Sequence, residues 1–365
     1  MKITHTDIYK FSIPMDPFTI ATGTSYFAQN IFLRIHTDSG IYGVGEGCAV
    51  SFITGETQET CYVMAKDFAQ LWKDKDPLEI EARLSELNSF TAFNSTIKSA
   101  FDMALYDISA KNANLPLYAF LGGTKRTLES DITVGIDAPE VMAEKATEFR
   151  KSGAGIIKVK LGKKASDDIE RIKQIRQAVG EEMVLRVDAN QGWTYDDALK
   201  VLRAISEYNI EFCEQPMRRF NDHLMPDMHK HSPIPIMADE SVFDHHDAER
   251  LIRTKGCRYV NIKFAKSGGF HEALKVNEVC RANQIACMMG GMLESRVALT
   301  AFAHFASALP NIRFYDMDTC LIGHKIDPVT GGVKYDKYNL TIPDGIGIGA
   351  DADDDFLQTC EKITV

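Results

Sequence analysis

Eight short apolar runs recur between residues 132 and 316 at a nearly constant interval. They lie at 132–134, 156–160, 184–188, 210–214, 236–239, 259–263, 286–289 and 312–316. Markers near their ends, at 133, 160, 188, 214, 239, 263, 289 and 316, stand 27, 28, 26, 25, 24, 26 and 27 residues apart. A strand, a helix and two connections need about that many residues. Eight such units predict an α/β fold with a closed parallel barrel rather than an open sheet. The residues themselves do not recur, so the repeat is one of architecture. In such a barrel the C-terminal strand ends converge on one mouth, where barrel enzymes do their chemistry.

The 365 residues leave room for more than the barrel. The first stretch reads as α+β. Residues 31–37 form a strand, Asp38-Ser39-Gly40 turns it, and 41–46 return as a hairpin arm. From Ser95, Ile97, Ala100, Phe101, Ala104, Leu105 and Ile108 fall on one helical stripe that Asn114-Leu115-Pro116 ends. Leu121-Gly122-Gly123 marks a boundary. Residues 331–335 and 338–343 read as a hairpin that leaves the barrel and packs on the N-terminal domain. The acidic run Asp351–Asp355 reads as a solvated tail, since it lacks the glycine and glutamate of a calcium loop. The expected division is a cap over 1–122, a barrel over 123–325 and a returning segment over 326–365.

Lys plus Arg is 41 and Asp plus Glu is 51, a formal charge of −10. That balance disfavours a general nucleic-acid role. No apolar run reaches the roughly 18 residues of a membrane helix, and Met1–Asp7 does not read as a signal peptide. The eight cysteines are scattered without a Cys-x-x-Cys pair, as reduced thiols in a cytoplasmic protein would be. His229, His231, His245 and His246 read as solvated surface. A homo-oligomer is expected.

The strand ends carry the chemistry. In order they are Lys160, Asp188, Glu214, Asp239 and Lys263, with Asp316 and Asp318 at the last. Buried charges at apolar strand ends cost free energy unless paired or bound to metal. Any one carboxylate alone suits a rim ion pair. Three on consecutive strands, flanked by two lysines, suit a hard divalent cation, most simply Mg²⁺. Lys160 and Lys263 end the second and sixth runs and face each other across a barrel mouth. A free lysine, with a pKa of about 10.4, is a weak base at neutral pH. A neighbouring cation lowers that value, and Lys158 is placed to do this or to orient a carboxylate. Lys266 reads as structural.

These residues carry a resemblance. Lys158-Val159-Lys160, Asp188-Ala189-Asn190, Cys213-Glu214-Gln215-Pro216, Ala238-Asp239-Glu240-Ser241 and Asn261-Ile262-Lys263 through Gly269 resemble the enolase superfamily, and within it the muconate-lactonizing-enzyme subgroup. A lysine or histidine base with Mg²⁺ is the general pattern given for enolase-superfamily sites. The resemblance implies a modified TIM barrel of the (β/α)7β type, with an α+β N-terminal cap completed by the C-terminal segment. It implies one Mg²⁺ per subunit on Asp188, Glu214 and Asp239, with Asn190 and Glu240 behind them. Lys160 and Lys263 become the two bases and Lys158 a third catalytic cation.

Asp316-Met317-Asp318 looks like the Asp-x-Asp with which dipeptide epimerases of that subgroup bind a dipeptide's α-ammonium. The stretch 290–296, with Met292 and Ser295, resembles their pocket-lining loop after the seventh strand, and Thr133 is a further expected substrate contact. Ala-Glu epimerases of the family carry an arginine in a mobile loop after Pro-Phe. Here, past Pro17-Phe18, Gly23 stands in its place, and no basic residue lies between Phe18 and Tyr26. A buried carboxylate without a counter-ion is costly. The implied substrate is a dipeptide of Ala-Ala or Ala-Val type, epimerised at its C-terminal residue beneath an apolar lid of Phe18, Ile20, Tyr26, Phe52 and Ile53. Three rival reactions of the subgroup share the metal and lysines without an obvious need for Asp316 and Asp318. They are muconate cycloisomerisation, o-succinylbenzoate synthesis and N-acylamino acid racemisation. A non-catalytic metal- or peptide-binding protein is the rival of another class.

Overall fold

The computed structural model describes residues 1–365. At the N-terminus β1 (Ile3–Ile20), β2 (Gly23–Thr37) and β3 (Tyr42–Cys48) form an antiparallel meander. The expected 31–37/41–46 hairpin is the β2–β3 pair. Three long helices follow, α1 (Gln58–Trp72), α2 (Ile80–Phe90) and α3 (Ser95–Asn112), besides single turns at Ser51–Thr54 and Leu117–Phe120. The stripe predicted on α3 is only part of its buried surface, because every residue from Thr96 to Ala110 is buried.

A glycine ladder explains that burial. Gly43, Gly45 and Gly47 alternate along β3 and so share one face. A Cβ on them would overlap the backbone carbonyls of Ala104, Ala100 and Thr96, one helical turn apart. The missing side chains let α3 lie directly on the strand, and the alternate residues Val44, Glu46 and Cys48 point the other way.

The eight predicted strands are present: β4 (Ile132–Val134), β5 (Ile156–Lys160), β6 (Val184–Asp188), β7 (Ile210–Glu214), β8 (Ile236–Ala238), β9 (Tyr259–Ile262), β10 (Ala286–Gly290) and β11 (Ile312–Asp316). They form one parallel sheet in sequence order. Asp131 N–H donates to the Tyr315 carbonyl at 3.0 Å and Met317 N–H to Ser130 Oγ at 2.8 Å, closing β4 against β11. A helix follows each strand except the last, as in (β/α)7β. Inside the barrel, Phe212, Met237 and Met288 pack with Tyr259 and Phe314 beneath the charged layer. No helix is long and apolar enough to cross a membrane.

Four expectations need correction. The hairpin at 334–341 pairs with Leu128–Glu129 beside the barrel, not with the N-terminal sheet. Only β12 (Lys362–Thr364) returns to that sheet, antiparallel to β1. The acidic run is folded. Asp351 accepts from Arg34 and from the Tyr42 hydroxyl at 2.8 Å, and Asp353 caps the helix Asp354–Thr359. Carboxylates near a helix N-terminus or an arginine gain more there than in water. The stretch after Phe18 is the tip of the β1–β2 hairpin rather than a loop, with a register shift between Pro14 and Phe18. His245, against Glu272, and His229 are half-buried rather than solvated.

Asp102 joins cap to barrel. Fully buried on α3, it accepts the N–H groups of Phe270 (2.5 Å) and His271 (3.1 Å) and caps the barrel helix Phe270–Ala282. Burial pushes its carboxyl up to about 8, against those two donors. The folded form therefore keeps a proton that the unfolded chain releases near 3.8. Between those values the native state binds more protons, so this group's contribution to stability falls as pH rises. Thermal denaturation should find Asp102→Asn less destabilising at pH 8.5 than at pH 5. An equal loss at both would contradict this. Gly45→Ala, which forces a methyl into the Ala100 carbonyl, should cost about 1–3 kcal/mol in urea denaturation.

Candidate active site

Side chains two apart on a strand share a face, so each barrel strand sends alternate residues inward. At the mouth this sets Lys160, Asp188, Glu214, Asp239, Lys263 and Asp316 in one layer. Lys158, Arg186, Phe212, Asn261 and Phe314 come from the layer beneath. Lys158, Lys160, Lys263 and Lys266 are all buried, and each meets carboxylates.

Lys158 Nζ lies 2.6 Å from Glu214 Oε2, 2.8 Å from Asp316 Oδ2 and 3.2 Å from Asp188 Oδ2. Lys160 Nζ lies 2.7 Å from Asp188 Oδ2, and Lys263 Nζ 3.0 Å from Asp239 Oδ2. Lys266 has the structural role expected of it. It reaches Asp239 Oδ1 at 2.5 Å and donates to the carbonyls of Asp239, Val242 and Asn261.

Burial opposes the charge of Lys158, but Asp316, Glu214 and Asp188 outweigh it and hold the ammonium well above its usual range. Lys263 behaves alike. Burial and Lys158 act downward, as expected of a neighbouring cation, yet Asp239 and Glu214 hold it above its ordinary value. Among these groups the two carboxylates outweigh Lys158. Burial, then Asp188, pushes Glu214 up to about 7. Burial also acts on Asp239, but Lys263 and Lys266 hold it below the usual carboxylate range.

Glu214 Oε2 and both Asp239 oxygens accept no well-aligned hydrogen bond, although ammonium groups stand close by. Hard oxygen donors left without aligned partners fit a hard divalent cation in their chemistry. Lys158 contacts both Asp188 and Glu214, and the three carboxylates do not form one close cluster. Asn190 donates its N–H to Asp188 Oδ1 at 2.8 Å. Glu240 accepts from Gln191 Nε2 at 3.3 Å, and burial together with Asp239 pushes it up to about 8.

The carboxylates that do converge are Asp131, Asp316 and Asp318, with oxygens within 4.8 Å of one another. Asp316 is held near 2 by Lys158 and the other lysines despite its burial, and Asp318 is pushed up to about 7 by burial and by Asp316. The Thr133 N–H donates to Asp318 Oδ2 at 2.6 Å. Three clustered carboxylates suit an organic cation better than an anion.

Lys160 and Lys263 line one small cavity of about 50 Å³, together with Phe18, Ile20, Ser25, Val50, Phe52, Ile53, Asn190, Gly291, Met292 and Leu293. Wider cavities of about 490 and 550 Å³ contain neither lysine. Met292 lies on the wall of the lysine cavity. Gly23 packs toward Phe52, whose ring would meet a Cβ there at 3.6 Å. Thr133 lines the neighbouring 550 Å³ cavity, which shares Phe18 with the lysine cavity.

Two expected contacts fall elsewhere. Tyr26 is 60% exposed and points away, and alternation along β2 puts Ser25 in the cavity instead. Ser295 is occupied as the N-cap of the helix Arg296–Ala308, accepting from Val297 N–H and donating to Glu46. Asn261, Arg186 and Asp131 had no assigned role. Asn261 Nδ2 donates to Glu214 Oε1 at 2.7 Å, and Arg186 pairs with Asp131 at 2.9 Å while lying 5.2 Å from the Phe212 and Phe314 rings. Their two-residue offset from Lys263, Asp188 and Thr133 was the available signal.

Residues 3–122 match the mandelate racemase/muconate lactonizing enzyme N-terminal domain, and residues 141–356 match the enolase C-terminal domain-like family. The chain is 40% identical to a D-Ala-D/L-Ala epimerase of Cytophaga hutchinsonii over the whole of both chains. It is also 40% identical to a hydrophobic dipeptide epimerase of Enterococcus faecalis, over 96% of this chain and 99% of the relative. The crystal structure of the Cytophaga hutchinsonii dipeptide epimerase with Mg and D-Ala-L-Val superposes with a TM-score of 0.99 over the whole of both chains. The barrel, its antiparallel cap and these matches place the chain in the enolase superfamily, as an isomerase of its racemase and epimerase class resembling the dipeptide epimerases.

Proposed function

We propose that the protein is a magnesium-dependent dipeptide epimerase that inverts the α-carbon of the C-terminal residue by two-base 1,1-proton transfer. The observation that carries this reading is the single cavity shared by Lys160 and Lys263. Lys160 ends the second strand of the barrel and Lys263 follows the sixth, so their amines approach that cavity from opposite walls. A carbon acid between them can lose its proton to one lysine and regain one from the other on its opposite face. Asp188, Glu214 and Asp239 are the proposed metal ligands, with Asn190 and Glu240 behind them. Mg²⁺ held there would supply positive charge to offset the negative charge that develops on the substrate carboxylate. Lys158, buried beside two of these ligands, holds a second positive charge toward the same oxygens. Asp316 and Asp318 hold the substrate's α-ammonium. The same reading divides the chain into a cap over 1–122, a catalytic barrel over 123–325 and a returning segment over 326–365.

The substrate's C-terminal side chain is small or hydrophobic in this reading. Phe18, Ile20, Val50, Phe52, Ile53, Met292 and Leu293 wall the cavity, and its only cationic groups are the two lysines. An acidic side chain would be buried there with no cation to pair with except the two lysines that serve as bases. The names of the two relatives at 40% identity point the same way.

In deuterated water, Lys160→Ala and Lys263→Ala should each lose inversion by about 10²–10⁴-fold. Each should keep α-proton exchange with only one isomer, and the two variants should favour opposite isomers. Full inversion by either variant overturns the two-base reading. Exchange confined to N-acylated amino acids, which lack the ammonium, overturns the dipeptide reading. Across a dipeptide panel, Ala-Ala or Ala-Val should exceed Ala-Glu in kcat/KM by about tenfold or more, and Gly23→Arg should narrow that gap. Turnover that favours Ala-Glu in the unmodified protein would refute the apolar pocket.

A further inference from the structure

Glu46 is a buried carboxylate outside the reacting layer, yet it holds the loop that walls the pocket. The glycine ladder places it on the face of β3 that looks away from α3 and toward the barrel. It is 1% exposed. Oε1 accepts from Ser295 N–H at 2.8 Å and from Asn30 Nδ2 at 2.6 Å. Oε2 accepts from Ser295 Oγ at 2.7 Å and from Ala298 N–H at 3.1 Å. Three of these four donors belong to residues 295–298, at the N-terminus of the barrel helix Arg296–Ala308. A carboxylate there satisfies helix N–H groups that have no partner within the helix and meets the favourable end of its dipole.

Residues 291–294 lead directly into that helix. Their barrel side is fixed by Gly291 N–H to the Asp316 carbonyl at 2.9 Å and Thr319 Oγ1 to the Glu294 carbonyl at 2.7 Å. Their internal fold is fixed by Met292 N–H to Glu294 Oε2 at 2.6 Å. The remaining side is held from the cap by Glu46, with Asn30 bridging Glu46 and the Leu293 carbonyl. Met292 and Leu293 are the residues that this loop presents to the cavity of Lys160 and Lys263.

We propose that Glu46 is a positioning residue through which the cap sets the place of Met292 and Leu293, and so which C-terminal side chain fits beside the two lysines. This rests on the dipeptide-epimerase reading for its functional consequence, though not for the structural link. Glu46→Gln keeps the shape and removes two acceptor sites. Its amide nitrogen then faces either the Ser295 hydroxyl and Ala298 N–H or the Asn30 amide and Ser295 N–H. Donor set against donor displaces the loop.

The experiment compares the unmodified protein, Glu46→Gln and Asp102→Asn. Asp102 caps another barrel helix from the same cap but touches no residue of the pocket loop. The first readout is the ratio of kcat/KM for two dipeptides differing only at the C-terminal residue, Ala-Ala and Ala-Leu. Glu46→Gln should change that ratio by about fivefold or more, chiefly through KM, because a shifted pocket wall alters side-chain fit. Asp102→Asn should leave the ratio as it is. The second readout is amide hydrogen exchange in residues 291–295 without substrate. It should quicken in Glu46→Gln and not in Asp102→Asn. If Glu46→Gln lowers only the melting temperature, with ratio and local exchange unchanged, Glu46 is a plain helix cap and the proposal is overturned. If the unmodified protein epimerises no dipeptide, the function reading fails by itself. Exchange then decides the structural link, and unchanged exchange overturns it.

Discussion

Buried charge at the barrel mouth has to be balanced, and the rest of the site depends on how that is done. Lys158, Lys160, Lys263 and Lys266 meet Asp188, Glu214, Asp239 and Asp316, all withdrawn from solvent. None of these charges could be buried alone, since an uncompensated ion in a protein interior costs several kcal/mol. The network is balanced without being satisfied. Glu214 Oε2 and both oxygens of Asp239 have charge partners but no aligned hydrogen bonds. Such a set can exchange ammonium contacts for a divalent cation without first breaking good hydrogen bonds. The aromatic and thioether packing below it, around Phe212, keeps the charged layer at the mouth.

The second constraint is the seat of the cap. A closed barrel fixes the lysines and carboxylates but cannot by itself cover them. The cover comes from the hairpin tip with Phe18, Ile20 and Ser25, and from Val50, Phe52 and Ile53 just past β3. Their position follows from the contact of α3 on the Gly43/Gly45/Gly47 face of β3. It follows also from two buried acidic side chains, Asp102 and Glu46, each closing the N-terminus of a barrel helix. These caps satisfy amide groups that the barrel leaves unpaired, so cap and barrel stabilise one another at the edge of the pocket.

Much of this was legible in the chain. The spacing of eight apolar runs fixed the barrel because strand and helix lengths are narrowly constrained, and all eight strands lie where the spacing put them. The charged strand ends were legible because a lysine or aspartate closing an apolar run has few inexpensive places to go. Tyr26 and Ser25 show where such reading stops. They are neighbours on one strand, and only the register of β2 against β1 decides which faces inward. Ser295 shows another limit, since its hydroxyl is taken by a helix end and by Glu46 from a segment 249 residues away. The acidic run at 351–355 read as solvated because its partners Arg34 and Tyr42 are more than 300 residues distant.

The sequence by itself determined the barrel, the order of charged residues around its mouth and the absence of an arginine at Gly23. Each is a matter of local period or residue type, and none depends on distant contacts. Only the tertiary structure decided which ammonium meets which carboxylate, which hairpin face lines the pocket and which cap residue holds the loop at 291–295. Those outcomes depend on strand register and on the packing of one domain against the other, where a shift of one residue reverses which side chains are buried.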